Sequence, residues 1–263
     1  MRSVFARPAL RWALAACAIT LPLFAAAPSV GAASSHPTTD TTRLPASFRQ
    51  CAAFFAGGQP PAVPRRPRQR ELCFDAFAVL HSGDTRTPVF VAQRLNKNAL
   101  GGIPRARSDR FFADARLPRA ERAELDDYKR SGYSRGHMAP AADMATEAAM
   151  AQSFSLANIV PQAQKHNGGA WAKVEQDTRK YVQRAQGDVY VITAPVFEPG
   201  GPRIGPRGVA VPTHLFKLVY DSHTQRAWAH WQANRDDEKA SRPISYEELV
   251  RRTGVEWLPE RGG

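Results

Sequence analysis

Apolar residues along this chain cluster in two textures. Short runs rich in β-branched and aromatic residues read as strands: "CFDAFAVLHS" from Cys73 and "TPVFVAQRL" from Thr87, with the turn-forming "GDTR" between them, predict a hairpin. "DVYVITAPVF" from Asp188 predicts a buried strand, and "GVAVPTHLFKLVYD" and "QRAWAHWQAN" predict a second hairpin. Helical spacing is clearest in "GGAWAKVEQDTRKYVQRA", where Trp171, Val174, Tyr181 and Val182 share one side and charges the other. Shorter helices are expected in "RAERAELDDYKRSG", ended by Gly132, in "MATEAAMAQSFSLANIVPQ", one helical segment and then a break at Pro161, and in the tail "ISYEELVRRTGVEW". Strands, then helices, then strands again, without regular βαβ alternation, predict one α+β domain around a mixed, largely antiparallel sheet flanked by helices.

The ends and loops change this picture. Arg2, Arg7 and Arg11 precede an apolar run from Trp12 to Ala27 and then small residues, the order of a signal peptide over residues 1–33. Export to the periplasm or medium of a bacterium is therefore expected. "LAAC" at Cys17 offers a lipoprotein box as the alternative, and Pro22 and Pro28 speak against a membrane span. Residues 34–47, rich in Ser, Thr, Pro and Ala, read as a flexible leader to a domain over 48–263. The chain carries a formal charge of +12, and without its first 33 residues, which hold three arginines and no acid, about +9. Such a surface attracts polyanions. Without Cys17 the remaining cysteines, Cys51 and Cys73, make a pair that closes a loop when oxidised, worth about 3 kcal/mol in the chain-entropy model. That loop, "GGQPPAVPRRPRQR" within it, is cationic and too rich in proline for a helix. A second basic stretch, "KNALGGIPRARSDRFFADARLP", is longer than most connections in compact domains, a length that tends to carry function.

Two segments carry candidate chemistry. In "YSRGHMAPAADM" a histidine, His137, follows Arg135 and Gly136 and precedes Pro140; such neighbours suit an imidazole held toward a cleft by a turned backbone. In "SLANIVPQAQKHNGGAWAKVE" the polar residues Asn158, Gln162, Asn167 and Glu175 surround a helix start. Asn167 is either an N-cap or an oxygen ligand for a hard cation. Glu175, two turns on, is either a solvated charge or a partner of the metal's waters or of an arginine. His81, His166, His214, His223 and His230 form no ligand set and read as structural or surface residues.

Together these segments resemble the DNA/RNA non-specific endonucleases, the group of secreted Serratia-type nucleases and mitochondrial endonuclease G with a ββα-metal (His-Me finger) site. The resemblance runs from about Leu72 to about Trp231. It implies His137 as general base, Asn167 as sole protein ligand of one Mg²⁺ with Mn²⁺ as substitute, Glu175 acting behind the metal, and Asn158 as polar support. Arg135 supplies positive charge or a structural clamp. A loop arginine contacts the phosphate: Arg107 is chosen, with Arg105 and Arg110 as alternatives. DNA and RNA are the implied substrates, with a homodimer and an inhibitor protein as further partners. Ser134 departs from the aspartate that usually opens this motif, which leaves a weak or inactive nucleic-acid-binding homologue as the alternative.

Overall fold

The computed structural model describes residues 48–101 and 110–259. The expected signal segment, lipoprotein box and leader lie outside the described residues, as do Arg105 and Arg107.

Seven strands form one antiparallel sheet in the order β1 (Gln69–Cys73), β2 (Ala78–Ser82), β3 (Thr87–Leu95), β6 (Val189–Val196), β9 (His214–Asp221), β10 (Arg226–Ala233) and β11 (Ile244–Ser245). Both expected hairpins are present: β2 with β3, and β9 with β10. Alternation along each strand sorts its side chains between two faces. Leu80, Phe90, Ile192, Phe216 and Leu218 point to one face, where the amphipathic C-terminal helix α6 (Tyr246–Thr253), Trp257 and an N-terminal 3-10 segment (Phe48–Phe54) cover them. Val79, Val91 and Leu215 point to the other, against Met138, Val160 and Trp171. Trp171 is fully buried there, so that Trp171→Ala falls in the range of about 3–5 kcal/mol for emptying a large aromatic site.

The second face carries the rest of the chain. The basic stretch begins with one helical turn, α1 (Lys97–Leu100), and further along it Phe112 bridges to Ser155. Next come α2 (Leu125–Tyr128), β4 (Ser134–His137), α3 (Glu147–Ser153) and β5 (Ile159–Gln162), with β4 and β5 paired antiparallel. Helix α4 (Gln164–His166), a π turn (Asn167–Trp171) and α5 (Ala172–Val182) follow as one helical run. Strands β7 (Arg203–Ile204) and β8 (Val209–Ala210) make a small separate ribbon.

Three local expectations change. Helix α2 is a single turn closed by a reciprocal Glu124–Asp127 cap, because Lys129 already leaves the helical region. Pro161 does not merely break a helix: it sits inside β5, where a two-stranded ribbon leaves one edge unpaired and a missing N–H is tolerated. The stretch at Arg135–His137 is extended, not turned.

Candidate active site

Strand β4 places His137 at its end, opposite Ile159 of β5, and β5 runs within one residue into the helix that carries Asn167. The order strand, strand, helix brings the two segments singled out in the sequence into one unit. Gly136 has an ordinary extended backbone; its requirement is space. A Cβ there would lie 2.1 Å from Gln162 Oε1, closer than any side chain allows. Glycine thus lets Gln162 cross behind the strand. The Gln162 amide reaches His166 Nδ1 at 3.0 Å, and His166 Nε2 lies 2.9 Å from Gln232 Oε1, fixing a neutral imidazole whose pKa burial lowers. His166 is structural, as expected.

His137 is 8% exposed, with Phe111 at 5.5 Å and Phe154 edge-on at 4.9 Å from its ring. Arg135 is exposed and lays its guanidinium 4.1 Å over Phe111, a cation–π contact that steadies that ring from outside. Phe112 bonds to Phe154 O and Leu156 N through its backbone, so this part of the basic stretch is stitched beside the histidine. Neither Phe111 nor Phe154 stands out in the sequence, the first lying in the basic stretch and the second between two serines.

Asn158 is fully buried with every amide position used: Oδ1 accepts from Ala139 N–H at 2.9 Å, while Nδ2 donates to Ala139 O and Ser153 O. Its backbone oxygen also accepts from Met138 N–H. It clamps the chain just past His137 and has no donor left over for a substrate.

Asn167 has helical angles (φ −56°, ψ −48°) inside the run that begins at Gln164, so it is not an N-cap. Its side chain makes no hydrogen bond among the described residues and lines a polar cleft of about 580 Å³ with Phe111, Asp126, Lys129, Tyr133, Ser134 and Arg135. A Cβ on Gly168 or Gly169 would meet nothing within 4 Å, so the π turn faces open space. A free amide oxygen at an uncrowded turn fits a hard cation that keeps most of its water, and π turns recur at functional sites. Among the described residues no three His, Cys, Asp or Glu side chains cluster as a metal-holding group.

Glu175 is not a solvated charge. The residue is half-buried, but its carboxyl is enclosed enough that burial raises its pKa to about 7, with Asp143 pushing the same way and Lys217, Arg179 and Trp171 opposing. Of the three candidate arginines, Arg105, Arg107 and Arg110, only Arg110 falls among the described residues, and it is exposed.

With this geometry in view, the chain was compared with known proteins. A family model for DNA/RNA non-specific endonucleases matches residues 61–259. The chain belongs to that family. Zebrafish (Danio rerio) mitochondrial nuclease EXOG is 39% identical over 145 residues, covering 51% of this chain and 42% of that one. Human mitochondrial endonuclease G is 33% identical over 156 residues, 55% and 52% of the two chains. The mitochondrial nuclease of Saccharomyces cerevisiae is 31% identical over 183 residues, 64% and 54% of the two. This chain spans about half the length of these relatives. A crystal structure of an EndoG/EndoGI complex superposes with a TM-score of 0.68 at 24% identity, covering 83% of this chain and 94% of that one, and shows the shared fold. The expectation of a secreted or periplasmic setting is corrected by these relatives, which are named as mitochondrial nucleases. Among the described residues no helix is long and apolar enough to cross a membrane.

Proposed function

We propose that this family member is an endonuclease that hydrolyses phosphodiester bonds of DNA and RNA, with His137 as general base and Asn167 as the single protein ligand of Mg²⁺, for which Mn²⁺ can substitute. The observation that carries the reading is the strand–strand–helix unit that joins His137, through paired β4 and β5, to an Asn167 amide facing a polar cleft.

The chemistry follows from the residues. His137 takes a proton from a water as its oxygen attacks phosphorus; the bond to the 3′-oxygen breaks, and a second water protonates that oxygen, leaving a 5′-phosphate. Phe111 and Phe154 fix the plane of the imidazole, so its lone pair is aimed before substrate arrives. The cation, when bound, offsets charge on the pentacovalent phosphate. Arg135 and Lys129 line the cleft and draw in the backbone of the nucleic acid, while Tyr133 offers a ring to a base. An arginine of the basic loop, Arg107 first, neutralises the scissile phosphate. Glu175 acts behind the cation and Asn158 holds the segment that carries His137. None of these contacts reads a base edge, in keeping with action on either nucleic acid. We count a second copy of this chain and a protein inhibitor among its partners, the latter on the strength of the complex of the solved relative.

A gel assay tests this directly. Purified protein with Mg²⁺ is expected to cut circular single-stranded DNA, duplex DNA and RNA, and chelation by EDTA or His137→Ala is expected to stop all three. Tight binding to these substrates without any cutting would instead support the inactive homologue that Ser134, in the usual aspartate position, suggests.

A further inference from the structure

The helical run that carries Asn167 begins without a cap of its own. Ala163, the residue before α4, has a side chain that cannot accept a hydrogen bond, and the first N–H groups of a helix have no partner within it. Here those donors are met from far along the chain, by Gln232 near the end of β10 and by Asn234 and Asp236 just past it. Asn234 Oδ1 accepts from Ala163 N–H at 2.8 Å, and Asp236 Oδ1 accepts from Lys165 N–H at 2.8 Å, each across 71 positions of sequence. Gln232 Oε1 lies 2.9 Å from His166 Nε2, and Nδ1 of the same ring meets the Gln162 amide at 3.0 Å. Three alternate residues of one segment thus hold Ala163, Lys165 and His166, just ahead of Asn167. The segment is itself anchored: Asn234 Nδ2 donates to Pro161 O at 3.0 Å and to Pro212 O at 2.9 Å, and the Asn234 N–H donates to Thr213 O. Asn167 is the next link, because its own N–H donates to Ala163 O at 2.9 Å.

We propose that Gln232, Asn234 and Asp236 form a strap of positioning residues that acts through α4 to hold the Asn167 amide where cleavage needs it relative to His137. The Gln162 side chain supplies the other half of the link: it passes behind Gly136, next to His137, and meets the His166 ring that Gln232 also holds. One imidazole therefore ties the strand of the base to the turn of the ligand, and the strap ties both to the central sheet. Gln162, His166 and Gln232 are each at most 1% exposed, so water does not compete for these bonds. None of the three strap residues lines the cleft, so their effect on the reaction passes through Asn167. A ligand displaced by about 1 Å is enough to cost on the order of 10² in rate. The consequence for cleavage rests on the nuclease reading; the hydrogen bonds do not.

Asp236 is exposed, so Asp236→Ala removes one tie without disturbing the core. It is expected to lower kcat by about tenfold with KM for nucleic acid unchanged, and to weaken Mn²⁺ binding, measured by calorimetry without substrate, by a similar factor. Gln232→Met is expected to have the same effect more strongly, and Asp236→Asn, which keeps the accepting oxygen, to behave as the wild type. In an Asn167→Ala background, Asp236→Ala is expected to slow cleavage no further. Hydrogen exchange of the Asn167 amide, expected to quicken about tenfold in Asp236→Ala, reads the strap apart from turnover. Should Gln232→Met fail to fold, Asp236→Ala carries the test alone. A folded Asp236→Ala with unchanged kcat and Mn²⁺ affinity would overturn the proposal, and so would an undiminished loss in the Asn167→Ala background. If the wild type cuts nothing, the nuclease reading falls and the exchange rate still decides the strap: an Asn167 amide that exchanges no faster in Asp236→Ala than in the wild type overturns it.

Discussion

Two histidines of this protein are enclosed by the same fold to opposite ends. His137 ends β4 next to Arg135, which lines the cleft, its ring set against two phenylalanines and its strand backed by Gln162. His81 lies in β2 at a register shift against β3, 1% exposed, and among the described residues neither of its nitrogens makes a well-formed hydrogen bond. Burial lowers the pKa of His81 to about 3, against weaker opposition from Asp114 and the Arg86 backbone. Burial alone therefore does not mark a working histidine. The difference lies in what the neighbouring strand leads to: β4 pairs with a strand that continues into a polar, uncrowded helix turn, while β2 pairs only with more sheet.

The contrast can be sharpened by substitution. His137→Ala is expected to lower the cleavage rate by about 10³-fold, within the usual range for a general base, with the melting temperature nearly unchanged; a large fall in stability with residual cutting would erase the distinction. Asn167→Ala comes next, with a loss on the order of 10²-fold in rate and a matching loss of Mg²⁺ or Mn²⁺ binding measured by calorimetry. Gly136→Ala asks whether the strand is a rigid mount. Its Cβ collides with Gln162, so a loss of about 1–3 kcal/mol is expected in urea unfolding, together with slower cleavage. The smallest effect on cleavage belongs to His81, where the change is expected in stability only. Because its folded pKa lies below the unfolded value of 6.5, the unfolded chain takes up the proton first. Its contribution is complete above about pH 6.5 and is lost as pH falls toward about 3, at about 1.4 kcal/mol per pH unit. His81→Leu is expected to flatten that slope while leaving cleavage at neutral pH intact.

Much of the frame was legible because alternating strands and the α5 periodicity write burial directly into the sequence. The two motif segments were legible because local spacing joins them: β4, β5 and the following helix are contiguous enough for their residues to meet. What stayed hidden depends on distance along the chain. Gln232, Asn234 and Asp236 read as polar residues at the end of a strand, and only the packing of that end against α4 reveals their company. Gly136 was taken for a turn residue because glycine signals freedom more often than tight quarters, and Gln162 is 26 positions away. Asn167 was weighed as a cap because the helix seemed to start at the two glycines, whereas it starts at Gln164, before them. Phe111 and Phe154 gave no periodic signal at all.

The Cys51–Cys73 disulfide ties an edge strand to the 3-10 segment whose Phe48 packs with Phe55 and Phe90, on the face turned away from the cleft. A thiol reductant would thus shorten the working life of the molecule without altering how fast it cuts while folded. The bond behaves as a clock on persistence, so brief assays with and without dithiothreitol should agree and prolonged warm incubation should separate them.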